Sequence, residues 1–209
     1  MAGKKSESPI RRKVLTKARS LFGRKGFSET TIKDIAIAYG CEPANIYNYF
    51  QSKEAILYEV LYEETQSLVS KIGFLKNDEK THPVEQIKII FRVHGEVALG
   101  AMKPGKLMYD TELRKLKKGH QLKIIELRDE YDAILRSIII RGIELDIFKP
   151  INVQLAAYAI ASTLMRLRIW YNPKGHLSKN EIIVCLSDYA LRALGCDEKY
   201  LGNNLTSGL

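Results

Sequence analysis

Between Pro43 and Phe50 the chain carries Ala44, Asn45, Tyr47, Asn48 and Tyr49, so two amides and two phenols fall in five consecutive positions. An asparagine amide matches the N6/N7 edge of adenine, and a tyrosine hydroxyl donates to phosphate. Catalytic chemistry finds no comparable grouping. The four histidines, His82, His94, His120 and His176, form no HxxxH or HExxH pair, and there is no GxSxG, Walker or GxGxxG loop. Glu126, Asp129, Glu130 and Asp132 read as an exposed helix face. No enzyme activity, metal site or cofactor is therefore expected.

The charge supports a binding reading. The 209 residues hold 33 Lys+Arg against 24 Asp+Glu, a formal net charge of +9. Residues 1–55 contribute 11 basic and 5 acidic side chains, a net of +6, on a nearly neutral body. That asymmetry fits a phosphate-backbone binder, a solvated basic tail or a helix resting on a membrane surface. The longest apolar stretch, about 153–170, is interrupted by Gln154, Arg166 and Arg168, too polar and short for a span of about 20 residues. Cys41, Cys185 and Cys196 are odd in number, far apart and outside any CxxC pair. Together with an N-terminus unlike a signal peptide, this gives an expected cytoplasmic, nucleoid-associated protein without a membrane partner.

Positioning the 43–50 segment requires an all-helical module. Ile10, Val14, Leu15, Ala18, Leu21 and Phe22 recur at steps of three and four, predicting a first helix stopped by Gly26. Thr31 caps a short second helix in which Asp34 suits the first turn and Ile32, Ile35 and Ala36 point inward. Gly40 supplies a tight turn, and Pro43 opens a third helix anchored by Ile46 and Phe50. A fourth helix runs from about 53 to 71. Helix, glycine turn, short helix is the helix-turn-helix pattern, whose second helix enters the major groove.

These residues resemble the TetR family of transcriptional repressors. The resemblance rests on Phe22, Gly26-Phe27, Thr30-Thr31-Ile32, Ile35-Ala36 and Gly40, then Ile46-Tyr47, Tyr49-Phe50, Ser52-Lys53-Glu54 and Ile56, at fixed offsets over about 10–57. It implies a DNA-binding domain over 1–52 and a larger helical ligand-binding and dimerisation domain over 53–209. It also implies phosphate contacts from Thr31, Tyr47, Tyr49 and Lys53, with Lys33 among the DNA-facing residues, and base-edge positions at Ala44, Asn45 and Asn48. The chain departs from the family at Cys41-Glu42, where Glu42 meets phosphates as a repelling charge or accepts from cytosine N4.

Beyond residue 57, helical patterns cover about 83–100, 106–117, 119–147, 152–171 and 178–195, the last opening with a Ser178–Glu181 capping box. Segments 152–171 and 178–195 are apolar on more than one face, which predicts a homodimer built from them. Arg166 and Arg168 interrupt an apolar helix expected to be buried. They answer either a structural acid (Glu96, Glu112, Glu126 or Asp132) or an anionic effector. The 127–131 and 168–178 stretches are similar to the acyl-CoA-responsive TetR subfamily that governs fatty-acid, phenylacetate and steroid degradation. That similarity implies an acyl-CoA effector. Candidate lining is Phe91, Leu99, Met102, Leu107, Met108 and Met165; candidate cations are Arg166, Arg168 and Lys174; candidate stacking aromatics are Trp170 and Tyr171. The rival effector is a hydrophobic drug-like cation, as in an efflux repressor.

Overall fold

The computed structural model describes residues 9–100 and 112–201. All regular structure among them is helical: α1 (Pro9–Lys25), α2 (Ile32–Tyr39), α3 (Pro43–Tyr47), α4 (Lys53–Ile72), α5 (Pro83–Ala98), α6 (Lys118–Glu144), α7 (Val153–Trp170) and α8 (Lys179–Ala193). Short 3-10 turns follow α4 and α8, at Gly73–Asn77 and Glu198–Tyr200. No described helix is long and apolar enough to cross a membrane.

The described residues gather into two compact units. One holds those up to Glu64 and from 112 to Ile125; the other holds Thr65 to 100 and Glu126 to 201. In the first, α1 buries Val14, Leu15, Ala18, Leu21 and Phe22 against Ile35, Ala36, Ile46 and Phe50. Ile56, Leu57, Val60 and Leu61, all fully buried, close that core from α4. This packing places the boundary inside α4, whereas the sequence pattern set it after residue 52. Leu116 and Ile124 join the same core, so 112–125 packs with the N-terminal residues and not with the larger unit. The helix expected over 106–117 falls mostly outside the described residues.

The second unit has its own core. Ile87, Ile90 and Phe91 of α5 meet Ile134, Leu135, Ile138 and Ile139 of α6, Leu164 of α7 and Leu191 of α8. The capping box expected at the start of α8 is present: Glu181 N donates to Ser178 Oγ at 3.3 Å, and Ser178 N donates to Glu181 Oε2 at 2.7 Å. Near the end of α6, Gly142 lies against the buried Phe148 ring, and a Cβ there would strike it. Gly142→Ala is therefore expected to cost about 1–3 kcal/mol through overpacking, read as a lowered thermal midpoint. Gly119→Ala, in open space on the same helix, should leave that midpoint unchanged or slightly raised.

Candidate functional site

Local capping fixes the entry to α2. Thr31 Oγ1 accepts from Asp34 N at 3.0 Å, and Asp34 Oδ2 accepts from Thr31 N at 2.8 Å. The Thr31 hydroxyl also donates to Asp34 Oδ2, at 2.9 Å, and the two bonds that the Thr31 N–H and hydroxyl donate to this carboxylate, helped by Lys25 at 3.2 Å, hold it down at about 2. At the other end Gly40 adopts φ 89°, a left-handed conformation open to glycine, and its N–H donates to Ala36 O at 2.8 Å. The chain then turns into α3 with Pro43 at its first position.

The orientation of α3 follows from two anchors. Ile46 and Phe50 are 1% and 2% exposed, which turns Ala44, Asn45, Tyr47 and Asn48 to solvent. Glu42, Thr31 and Lys33 are exposed as well, and Tyr49 is half-buried. Regular helix ends at Tyr47, earlier than the expected Phe50, but Asn48 keeps helical angles (φ −67°, ψ −21°) and continues the outward face. Ile37 on α2 is 68% exposed. It lies off the inward stripe of Ile32, Ile35 and Ala36, the one signal in the sequence that could have singled it out.

Lys53 behaves differently from a free phosphate ligand. Its ammonium donates to three carbonyls, Phe27 O at 2.9 Å, Ser28 O at 3.3 Å and Thr30 O at 2.7 Å, and sits 4.4 Å from the Phe27 ring centroid. With all three donors directed inward, it positions the 27–31 loop that leads into α2. Lys115 reinforces the same loop, donating to Ser28 Oγ at 3.3 Å and to Glu112 Oε1 at 3.1 Å. Part of the basic surplus is also used internally, since Arg11 pairs with Glu59 and Arg19 with Glu63. Arg12, Lys13, Lys17 and Arg24 remain exposed along α1.

The candidate effector residues differ in exposure. Phe91 is buried in the second core, and Leu99 is half-buried just beyond α5. Met165, Arg166 and Trp170 are exposed on α7, Lys174 is exposed beyond it, and Arg168 and Tyr171 are half-buried. Arg166 is therefore not the buried charge the sequence suggested: α7 turns Leu164 and Leu167 inward and Arg166 out, together with Leu155, Tyr158 and Ile169. Met102, Leu107 and Met108 lie outside the described residues. On α8, Val184 and Tyr189 are likewise exposed.

One polar pair inside the second unit escaped sequence reasoning. His94 Nδ1 and Tyr131 OH are 3.1 Å apart, buried on α5 and α6. Burial, with a smaller contribution from the Arg168 charge, pushes the His94 imidazole down to about 3, so it is neutral in the folded protein. Burial also raises the Tyr131 phenol well above its usual range. The available signal was positional, because both residues recur in step with the apolar side chains of their helices.

Comparison with known proteins agrees with this architecture. Residues 14–60 match the family described as bacterial regulatory proteins, tetR family, and residues 80–194 match the tetracyclin repressor-like C-terminal domain. The chain is 28% identical over 174 residues to the HTH-type transcriptional repressor KstR2 of Mycolicibacterium smegmatis, covering 82% of this chain and 84% of that one. Among solved structures, the TetR family regulator PfmR of Thermus thermophilus is 28% identical with a TM-score of 0.73, over 86% of this chain and 97% of that chain. AibR, solved with isovaleryl coenzyme A and operator DNA, shares the fold at 16% identity and a TM-score of 0.72, over 88% and 97% of the two chains. An N-terminal unit built around a helix-turn-helix and a C-terminal region that matches over more than half the sequence place this chain in the TetR family of transcriptional regulators.

Proposed function

We propose that the protein is a ligand-responsive repressor that binds a pseudo-palindromic operator as a homodimer and is released by an acyl-CoA thioester. The observation that carries the DNA part is the α2–turn–α3 geometry, in which buried Ile46 and Phe50 leave an outward face of small, amide and phenolic side chains. Asn45 and Asn48 read base edges from that face, while Thr31, Tyr47 and Tyr49 hold phosphates. Two such helices about 34 Å apart meet successive major grooves, which calls for a two-fold dimer. The exposed apolar residues Leu155, Tyr158 and Ile169 of α7 and Tyr189 of α8 supply its interface.

The effector reading rests on Arg166 and Trp170, four positions apart and both exposed on α7. Such a pair offers a cation to phosphate and a face to adenine. The printed ligand of AibR and the KstR2 likeness support the same ligand class. Release then requires only that the effector prefer the DNA-free state, by a coupling of about 1–3 kcal/mol.

The decisive experiment follows emission of Trp170, the only tryptophan. The protein is titrated with short, medium and long acyl-CoAs, free CoA and free fatty acids, with and without a duplex selected from a random pool. A saturable change with one acyl-CoA class, together with loss of DNA binding, is expected. Duplex affinity should also fall steeply with salt. If every CoA compound leaves emission and DNA binding unchanged, the effector assignment fails while the DNA reading stands.

A further inference from the structure

A groove of about 680 Å3 runs between α5 and α8, wholly within the second unit and apart from every candidate effector residue. Its size falls in the range of small-molecule sites, about 300–1,000 Å3. Asp188 lines it while only 1% exposed, and Asp188 Oδ2 has no hydrogen-bond partner. A carboxylate oxygen withdrawn from water without a partner is costly, and a cation relieves it.

The remaining lining narrows the ligand. Three acids, Glu85, Glu96 and Asp188, face two bases, Lys88 and Arg92. Lys88 already pairs with Glu85 at 3.2 Å, and Arg92 lies one helical turn before Glu96 on α5. The lining as a whole carries a net charge of −1, and Asp188 is its one buried carboxylate. Beside it Ile89, Ile183 and Val184 provide an apolar wall. The heavily charged α5 edge is unlike the core of a protein–protein interface, where charged residues are depleted. We propose that this groove is a second ligand site, taking an amphiphilic organic monocation whose ammonium bonds Asp188 and whose apolar body lies along Ile89, Ile183 and Val184. It stands independently of the acyl-CoA assignment.

A matched series tests it on the full chain: 6-phenylhexylamine, 6-phenylhexanol and 6-phenylhexanoate, measured by calorimetric titration at neutral pH. The amine is expected to bind once per protomer, and the alcohol and the acid about tenfold or more weaker. Asp188→Asn should erase the preference for the amine, while Arg92→Met should retain or strengthen it. Far-UV circular dichroism establishes that each variant is folded, and Val184→Ser, which removes apolar wall without adding charge, is expected to weaken all three compounds. Equal binding of the three compounds, no binding of the amine, or an Asp188→Asn variant that still prefers the amine overturns the proposal. So does a loss of heat stability shared equally by Asp188→Asn and Arg92→Met without amine selectivity, which assigns Asp188 to Arg92 in solution.

Discussion

Lys53→Met is expected to weaken operator binding by about 30–100-fold, corresponding to about 2–3 kcal/mol. The ammonium donates to the Phe27, Ser28 and Thr30 carbonyls, and each hydrogen bond to a charged group is worth about 1.5–3 kcal/mol, with incomplete additivity. Other ties remain, since Thr30 is fully buried with its hydroxyl donating to Gly26 O at 2.7 Å and Lys115 donates to Ser28 Oγ, so the expected loss is below the sum of the three bonds. Releasing the loop frees the approach to α2 and with it the Thr31 cap that orients the helix pair. Lys53→Arg should rescue only in part, because a planar guanidinium does not aim three donors at converging carbonyls as an ammonium does.

The same variant separates positioning from direct phosphate contact. Loss of a phosphate ligand reduces the slope of log affinity against log salt by about 1. Loss of a positioning residue lowers affinity while leaving that slope in place. Anisotropy titrations at several salt concentrations read both quantities. A slope reduced by about 1 with an unchanged thermal midpoint would return Lys53 to the phosphate-binding set.

The contrast between Lys53 and α3 shows what the sequence discloses. Gly26, Gly40, Thr31, Asp34 and Pro43 announce the helix-turn-helix because each residue type answers a local backbone requirement, and each does so in the structure. Ile46 and Phe50 anchor α3 as their spacing predicts. The aim of the Lys53 ammonium depends on a loop 23–26 residues away in sequence, which no local pattern encodes. Leu116 and Ile124 illustrate the same limit, since packing with the N-terminal core is set by long-range contact. Arg166 is a further case. The helical period places it with Leu155, Ala159 and Ser162, all exposed in the structure, although a face carrying Leu155 and Ala159 reads as apolar in the sequence. Which apolar face of α7 is turned to the core is set by packing against α5 and α6, and no local pattern discloses that choice.

Acidification from pH 6.5 should destabilise the second unit by up to about 1.4 kcal/mol per pH unit, through His94. The folded imidazole is held down at about 3 by burial and, secondarily, by Arg168, whereas the unfolded chain protonates it near the ordinary value of 6.5. Between those values the unfolded state carries one more proton than the native state, so unfolding free energy rises with pH and falls on acidification. Asp34, held at about 2 by its bonds to Thr31, has the same sign, but its window opens only below 3.8. Asp132, raised mainly by burial, acts with the opposite sign above its ordinary 3.8. His94 therefore governs the upper part of the interval, approaching 6.5. Urea titrations followed by far-UV circular dichroism at several pH values measure the slope. His94→Gln, whose amide still offers an acceptor to the Tyr131 hydroxyl, removes the titrating group and should flatten that slope. Equal slopes in the two proteins would mean that the native state takes up the proton at its ordinary pKa, with His94 hydrated instead of sealed against Tyr131.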